Sequence, residues 1–154
     1  MQKTLIILKP DAVQRGLIGE VTRRFERKGL KLIGMKMMNL EEAMLADHYS
    51  HIADKPFFPG IVKFMKSSPV IVQSWEGKEA VEAVRTICGI TNARKADAGT
   101  IRGDFAMSMQ CNVVHASDSE ENGKAEVARF FKEEELFSYD KGEYIHVYAD
   151  DEIA

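Results

Sequence analysis

Of the four histidines, His115 has the sequence surroundings best suited to chemistry. It follows two valines on a predicted strand and precedes Ser117, Asp118 and Ser119, which are favourable residues at the start of a helix. Helix N-termini attract anions, and functional side chains concentrate where an element gives way to a loop. Imidazole has an unperturbed pKa of about 6.5, so at pH 7 most of it is neutral and nucleophilic. The sequence therefore favours a nucleophilic His115, with a hydrogen-bonded core imidazole as the alternative.

The other histidines carry weaker signals. His48 and His51 form an HxxH pair on a predicted helix, but neither HExxH nor other ligand spacing accompanies them. They are expected to pack against neighbours or to lie at the surface. His146 lies in the C-terminal segment and has no candidate partner nearby in the sequence.

The usual phosphate-binding loops are missing, since neither GxxxxGK followed by Ser or Thr nor GxGxxG occurs. A phosphate ligand would therefore depend on cationic side chains. Lys9, Arg85 and Arg102 all lie at the ends of predicted elements, where side chains can converge on an anion. The alternative is that each is a solvated surface charge, which is the usual state of lysine and arginine.

Composition limits the possible partners. The 154 residues are 45% hydrophobic and 29% charged, as expected of one soluble domain over 1–154 with an irregular C-terminal extension at 137–154. A formal net charge of −3 disfavours nucleic acid as a specific partner, so an anionic ligand must meet a local cationic pocket. The apolar run Leu5–Leu8 is too short for a membrane span, which predicts no membrane partner. Cys88 and Cys111 lie far apart and form no CxxC, which favours reduced thiols and the cytoplasm.

The apolar pattern predicts the elements that must position these residues. Strands are predicted at Thr4–Lys9, Leu30–Met38, Val70–Trp75 and, from period-two alternation, Phe105–Val113 running out at His115. Helices are predicted at Gly19–Lys28 with Gly29 as the stop, at Glu79–Ile87, and after Ser117, where Val127, Phe130 and Phe131 would be buried. Residues 41–67 are predicted to be mostly helical, and Gly89–Gly103 to be a loop.

The resulting order is strand, helix, strand, strand, helix, strand. It predicts an α+β fold of the ferredoxin-like, split βαβ type, with a four-stranded antiparallel sheet and its helices packed on one face. The same architecture serves non-catalytic nucleotide-binding modules, small-molecule sensors and RNA binders. RNA recognition would require exposed aromatic residues on the central strands and a basic face, whereas these strands offer aliphatic residues and methionines. His115 and the cationic set argue for an enzyme instead.

The segment Asn112-Val-Val-His-Ala-Ser-Asp-Ser119 resembles the active-site signature of nucleoside diphosphate kinases, which usually reads NxxHGSDS. Further segments resemble the same family in order and spacing: Lys9-Pro-Asp-Ala-Val-Gln-Arg-Gly16, Lys55-Pro-Phe-Phe58, Trp75-Glu-Gly77, Gly99-Thr-Ile-Arg-Gly-Asp-Phe105 and Glu134-Glu-Leu136. Together these motifs extend over nearly the whole chain, so the resemblance does not depend on one short match. It implies an enzyme that passes the terminal phosphate of a nucleoside triphosphate, typically ATP, to a nucleoside diphosphate.

The resemblance also implies a role for each matching residue. His115 would be the nucleophile, phosphorylated on a ring nitrogen by the triphosphate and dephosphorylated by the diphosphate, with ping-pong kinetics. Tyr49, Ser117 and Glu126 match residues that support the histidine, although the helical pattern alone places Glu126 on a solvent-facing side. The residues that match nucleotide contacts are Lys9, Arg85, Thr91 and Arg102 for the phosphates, Asn112 and again Lys9 for the ribose, and Phe57 for stacking on the base, which implies low base specificity.

The resemblance implies Mg²⁺ as the cofactor, held mainly by nucleotide phosphates and contacting Asp118 at most through water, with no direct protein ligand. Mg²⁺ and the cationic side chains would neutralise charge on the moving phosphoryl group. The partners would be nucleoside di- and triphosphates and further copies of the chain. The implied homo-oligomer is a hexamer first and a tetramer second.

Four residues depart from the family pattern. Ala116 replaces the glycine after the histidine, which requires that the backbone there not need a positive φ, and activity is expected to survive. Met109 stands where valine is frequent. Ala93 and Ala98 replace prolines, which predicts a softer loop over Thr91–Thr100.

Overall fold

Four antiparallel strands form the sheet in this computed structural model, which describes residues 1–153. They are β1 (Gln2–Leu8), β2 (Lys31–Met38), β3 (Val70–Gly77) and β4 (Val114–Ala116), in the spatial order β2-β3-β1-β4. Each neighbouring pair is antiparallel, which confirms the predicted split βαβ sheet. The central strand β1 lies between β3 and the short β4, so the end of β1 leads directly to the region of His115.

Helices connect the strands and flank them. Along residues 1–153 they are α1 (Pro10–Gln14), α2 (Ile18–Lys28), α3 (Glu42–His48), α4 (Phe58–Met65), α5 (Ala80–Cys88), α6 (Ile101–Phe105), α7 (Glu120–Phe130) and α8 (Asp150–Ile153). Gly29 ends α2 in a left-handed conformation at φ 99°, as predicted. Ser119 caps α7 by accepting a hydrogen bond from the backbone N–H of Asn122. None of the helices in this range is long and apolar enough to cross a membrane.

The helices cover both faces of the sheet, so the prediction that they lie on one face was wrong. Helices α2 and α5 pack on the face that carries Ile6 and Leu8. Helices α3, α4 and α7 pack on the opposite face, which carries Leu5 and Ile7. The physical reason lies in β1, where the continuous aliphatic run is fully buried on both sides, whereas a sheet with one wet face would alternate apolar and polar residues.

The predicted strand over Phe105–Val113 was also wrong, because only Val114–Ala116 pairs as β4. Residues 106–113 form a loop whose backbone is held by nearby side chains instead of a neighbouring strand. The Ser108 hydroxyl accepts hydrogen bonds from the backbone N–H groups of Gln110 and Cys111, both at 3.1 Å. The alternating methionines are not buried either, since Met107 is 76% exposed. Period-two alternation alone did not distinguish this loop from a strand.

The segment predicted as a loop, Gly89–Gly103, contains more structure than expected. A 3-10 turn covers Ala93–Lys95, and α6 begins at Ile101. Thr100 caps α6 by accepting a hydrogen bond from the backbone N–H of Gly103 at 3.0 Å. A helix of five residues with glycine inside it leaves little periodic signal in a sequence.

The C-terminal segment after residue 136 packs along β2. The backbone N–H of Phe137 donates to the carbonyl of Ile33 at 2.8 Å, at the bulge that interrupts the β2–β3 register. The Tyr139 hydroxyl donates to the carbonyl of Leu32, and the Lys141 ammonium donates to that of Leu30, both at 2.7 Å. A 3-10 turn over Gly142–His146 and then α8 complete the described chain.

Candidate functional site

His115 lies at the centre of β4, opposite Ile7 of β1. The strand is entered through an unusual backbone conformation, because Val113 has φ 75° although it is β-branched. The Val113 N–H donates to the Asp11 carboxylate at 3.0 Å, and its carbonyl accepts from the Lys9 N–H at 2.9 Å. A non-glycine residue in this region costs about 1–3 kcal/mol and persists where surrounding contacts determine it. The end of β1 and the start of α1 therefore fix how the chain approaches His115.

A carboxylate orients the His115 ring. The Glu126 Oε2 lies 3.0 Å from His115 Nε2 and accepts a hydrogen bond from the Ser117 hydroxyl at 2.6 Å. That hydroxyl accepts from the backbone N–H of Leu5 at 3.0 Å, which ties the arrangement to β1. The sequence pattern placed Glu126 toward solvent, but its side chain is only 13% exposed. Supporting roles for Ser117 and Glu126 in the reaction stay predictions.

The ionisation of Glu126 assigns the tautomer of His115. Burial raises the pKa of Glu126, but the hydrogen bond and charge of His115 and the hydrogen bond from Ser117 outweigh burial and lower it overall. An ionised carboxylate can only accept, so His115 Nε2 carries the proton. In the neutral ring, Nδ1 then keeps the lone pair, and this is the atom that can act as a nucleophile.

Aromatic rings surround the histidine. The rings of His48 and Tyr49 meet that of His115 edge-on, with centroids 4.5 Å and 6.4 Å away. Burial, followed by the charge of Glu126, raises the pKa of Tyr49 to about 12, so its hydroxyl stays protonated. Burial, followed by the charge of His115, lowers the pKa of His48 to about 3. The expectation of a packed or surface role for His48 is met by packing, but its contact with His115 was missed, and its position beside Tyr49 was the available signal.

A cavity of about 220 Å³ opens beside His115. The predicted residues that line it with the histidine are Lys9, Tyr49, Arg85, Thr91, Arg102 and Asn112. They come from the end of β1, the end of α3, the last turn of α5, the loop after it, α6 and the loop before β4. The fold thus brings together most of the residues that the sequence singled out separately.

The cations of this cavity are fixed by neutral groups. The Lys9 ammonium donates to the side-chain carbonyl of Asn112 at 2.6 Å, and burial together with the charge of Arg102 lowers the Lys9 pKa to about 8. The buried Arg102 guanidinium donates to the backbone carbonyls of Gly89 and Val114, both at 2.7 Å. Burial lowers the Arg102 pKa as well. No residue among those lining this cavity in the described chain carries a carboxylate, so the cavity is suited to an anion.

Asn112 connects the loops around the cavity. It is 1% exposed, and its amide group donates to the backbone carbonyls of Thr91 and Met109 at 3.0 and 2.9 Å. Arg85 is exposed on the wall of the same cavity. One buried amide therefore ties the end of β1 at Lys9 and the loop at Thr91 to the loop that contains Asn112.

Phe57 does not line the cavity beside His115, but it lies on an adjacent cleft. It is 57% exposed and lines a cleft of about 380 Å³ with Lys9, Tyr49 and Met109. Gln110, on the same cleft, donates to the backbone carbonyl of Gly60 at 3.3 Å. The cleft offers an aromatic ring and a flexible thioether on its walls, a surface that suits a flat ring system.

Asp118 lies outside the cavity that Lys9 and Arg102 line, but it shares a neighbouring cavity with Arg85. It lines a third cavity of about 620 Å³, whose walls also carry His48, Arg85 and Thr91. Its carboxylate accepts a hydrogen bond from the Asn122 side chain at 2.5 Å. A water-mediated metal contact of Asp118 stays a prediction.

Ala116 fits its position without backbone strain. Positive φ angles at non-glycine residues of the described chain occur at Glu79 and Val113, not at Ala116. The backbone at position 116 therefore does not require glycine, as expected.

Comparison with known proteins is consistent across the whole length. The family model described as nucleoside diphosphate kinase matches residues 2–136. A nucleoside diphosphate kinase of Parabacteroides distasonis is 55% identical over 153 residues, covering 99% of this chain and 100% of that protein. Nucleoside diphosphate kinase B of Rattus norvegicus is 46% identical and covers 90% of this chain and 91% of its own length. The solved structure of a halophilic nucleoside diphosphate kinase from Halobacterium salinarum in complex with CDP superposes with a TM-score of 0.93 at 43% identity, covering 96% and 99% of the two chains.

Proposed function

Because this chain belongs to the nucleoside diphosphate kinase family, we propose that its phosphate transfer between nucleotides passes through His115. The enzyme moves the terminal phosphate of a nucleoside triphosphate to a nucleoside diphosphate. The observation that carries the assignment is the engaged Nε2 of His115, which leaves Nδ1 with a lone pair beside three cations. In the first half-reaction a bond forms between Nδ1 and the γ-phosphorus while the bond from that phosphorus to the β,γ-bridging oxygen breaks, and the nucleoside diphosphate leaves. The second half-reaction reverses these steps with another diphosphate.

The surrounding residues supply positioning and charge. Phosphoryl transfer depends mainly on holding donor and acceptor in line while positive charge stabilises the phosphoryl oxygens. We assign the phosphate contacts to Lys9, Arg85, Thr91 and Arg102, and the ribose contacts to Asn112 and Lys9. Tyr49, Ser117 and Glu126 would hold the His115 ring, and Glu126 would keep the proton on Nε2 throughout the cycle.

The donor set around the cavity fits Mg²⁺ carried by the nucleotide. Mg²⁺ prefers oxygen ligands and commonly takes substrate phosphates together with few protein groups. The described cavity residues offer cations, a hydroxyl and an amide, so the phosphates themselves would be its ligands, and Mg²⁺ would supply further charge neutralisation.

The cleft at Phe57 supports low base specificity. Stacking is available to every base, whereas large discrimination requires buried polar groups that read base edges. ATP and CTP are therefore expected to react with similar kcat/KM values in a coupled assay. A difference of about 10³-fold or more would indicate polar base recognition instead.

Intact mass spectrometry after addition of ATP tests the His115 assignment. The wild-type chain should gain one acid-labile phosphate that ADP removes. His115→Ala should gain none and should lose phosphate exchange, whereas His51→Ala is the matched control, because His51 is exposed and lines only the neighbouring cavity. A labelled phosphoenzyme in His115→Ala would rule out the assignment.

The oligomer is proposed to be a hexamer, with a tetramer second. Strand β2 is at the edge of the sheet, and its Met35 and Met37 side chains are 45% and 57% exposed. The C-terminal segment bonds to Leu30, Leu32 and Ile33 near the start of β2, and the exposed apolar side chains farther along the strand are suited to contact with a further chain. Sedimentation equilibrium would measure the subunit number. A cytoplasmic location is supported by the exposed free thiol of Cys111, and cell fractionation would test it.

A further inference from the structure

His115 and two neighbouring side chains form a cluster of residue types that can bind a metal ion. His48, His115 and Glu126 each offer one nitrogen or oxygen atom, and these three atoms lie within 4.8 Å of one another. All three residues line the open cavity of about 620 Å³, which Arg85 and Thr91 also line but Lys9 and Arg102 do not. The open cavity gives a small ion access to the cluster.

One ring nitrogen of His48 is buried without a partner among the described residues. His48 is 7% exposed, and within residues 1–153 no hydrogen-bond partner reaches its Nε2. The other ring nitrogen, Nδ1, accepts from the Arg129 guanidinium at 3.3 Å. A buried nitrogen left unsatisfied is rare and is often explained by a bound water or ion.

We propose that His48, His115 and Glu126 form an inhibitory site for a borderline transition metal ion of the Zn²⁺ type. Two imidazoles and one carboxylate are the ligands of many three-residue zinc sites, in which water fills the fourth position. Imidazole also favours such metals over Mg²⁺, which prefers oxygen, so the Mg²⁺ of the nucleotide would not compete here. Ser117 would continue to donate to Glu126 and orient it as a ligand.

Binding at this site would stop the reaction by moving a proton. The active tautomer of His115 has the proton on Nε2 and the lone pair on Nδ1. A metal ion on Nε2 takes the lone pair there, so the proton must move to Nδ1, and the atom that attacks phosphorus is lost. This consequence depends on the proposed function of His115, whereas binding of the metal does not.

Arg129 opposes the metal and gives the proposal a sharp test. Its guanidinium donates to Asp47 at 2.7 Å and to His48 Nδ1, which places the His48 proton on Nε2. Coordination by Nε2 requires that this proton shift to Nδ1 and that the bond from Arg129 break. Removal of the Arg129 charge should therefore tighten metal binding, whereas removal of a ligand should weaken it.

Binding is measured without nucleotide, by titration calorimetry with Zn²⁺ and by the visible absorption of Co²⁺. The wild-type chain should bind one ion per chain. His48→Asn and Glu126→Gln should each lose roughly 10-fold or more in affinity, since even outer-shell partners of a metal are worth 10–100-fold. Arg129→Gln should bind more tightly than the wild type. His51→Asn and Cys111→Ser, which remove the other nearby imidazole and the exposed thiol, should bind as the wild type does.

Inhibition is then compared with each variant's own metal-free rate at fixed free Zn²⁺. The wild type should be inhibited, His48→Asn much less, and added Mg²⁺ should not relieve the effect. Wild-type affinity in His48→Asn, with folding verified by circular dichroism, would overturn the site, and so would the lack of one saturable ion per chain. Binding that follows the predicted order without inhibition would overturn the proton shift at His115 and leave the metal site standing.

Discussion

Arg102 and Lys31 are both buried cations, 9% and 8% exposed, but they lie at opposite ends of the sheet and are neutralised differently. The Lys31 ammonium lies 2.7 Å from the Glu76 carboxylate and is covered by the rings of Tyr139 and Tyr144. Arg102 has only backbone carbonyls, and within residues 1–153 it has no ion pair with a carboxylate. Burying a charge is costly unless it is paired. Lys31 is therefore neutralised within the fold, whereas Arg102, in the proposed nucleotide cavity, lacks a negative partner among the described residues, and a bound phosphate would supply one.

The largest expected difference between these two cations is in catalysis. Arg102→Gln should lower kcat/KM by about 10²–10³-fold, the usual cost of removing a preorganised charge-stabilising donor. Lys31→Gln should leave kcat/KM nearly unchanged, but it should lower the free energy of unfolding by about 1–3 kcal/mol, because Glu76 stays partly buried without its partner. Steady-state kinetics and urea unfolding of the two variants measure both effects.

Arg102→Gln also loses hydrogen bonds to backbone carbonyls, so kinetics must be recorded where circular dichroism shows that both variants are folded. Equal losses of kcat/KM in the two variants would show that catalysis does not depend on Arg102 more than on Lys31. An Arg102→Gln variant that unfolds more easily but turns over normally would show that Arg102 contributes to stability and not to catalysis.

A smaller effect is expected at Glu126, whose hydrogen-bond donors are His115 and Ser117 and not a lysine or arginine. Glu126→Gln should lower kcat by roughly 10-fold or more, because a residue that orients a functional imidazole is usually worth 10–100-fold. Single-turnover phosphorylation of the enzyme measures this step directly. A variant with wild-type phosphorylation would show that the tautomer of His115 does not depend on this carboxylate.

The same substitution changes the pH dependence of stability. Although burial raises the pKa of the folded-state Glu126 carboxyl, the hydrogen bonds from His115 and Ser117 hold it below its ordinary value. Its contribution to stability is therefore present above that ordinary value and is lost as pH falls through the folded-state pKa. The wild type should therefore lose more unfolding free energy between pH 7 and acid than Glu126→Gln. Parallel curves for the two proteins would contradict the lowered pKa.

Lys9 is a third cation of the cavity, and its charge is expected to change in the neutral and alkaline pH range. Burial lowers its pKa to about 8, so the free enzyme should lose this charge as pH rises through that value. The KM for ADP should then rise by about tenfold per pH unit above it. In Lys9→Arg the profile should be flat, since guanidinium stays charged. A wild-type KM that does not change up to pH 9 would show that Lys9 is not needed as a cation.

The smallest expected effect concerns a site without buried charge. Ala93 begins the 3-10 turn, and Asn92 before it is extended at ψ 95°, which is compatible with a following proline. Replacing Ala93 and Ala98 by proline should raise unfolding free energy by about 0.4–1 kcal/mol each and leave turnover unchanged. The double variant is measured by calorimetry and sedimentation. Unchanged or lower stability would show that the loop backbone does not suit proline and would weaken the hexamer proposal.

Elements with strong periodicity were predictable from the sequence. Val21 and Phe25 on α2, and the left-handed Gly29 that ends it, follow from helical spacing and from the freedom of glycine. The loop before β4 was not predictable, because its alternating methionines mimic a strand while Ser108 and Asn112 hold the backbone in another form. The helix α6 was missed because five residues show no period.

The residues of the candidate site were partly predictable from the sequence, whereas their distances were not. His115 and the cations were identified by residue type and by position at element ends, and the family resemblance supplied their roles. The distances that make them a site depend on tertiary structure, as the bond between His115 and Glu126 does. The HxxH spacing of His48 and His51 did not indicate the contact of His48 with His115, because that contact joins α3 to β4 across 67 residues of sequence.

The most direct measurement is the shift in thermal midpoint that ADP causes, compared with adenosine, in the wild type, Arg102→Gln and Lys31→Gln. A ligand that binds only the folded state raises the midpoint according to its affinity. If phosphate supplies the missing counter-charge, ADP should stabilise the wild type far more than adenosine does. Arg102→Gln should lose most of that difference, and Lys31→Gln should keep it although its own midpoint is lower. Equal shifts by ADP and adenosine, or a full ADP shift in Arg102→Gln, would show that phosphate does not supply the counter-charge of Arg102.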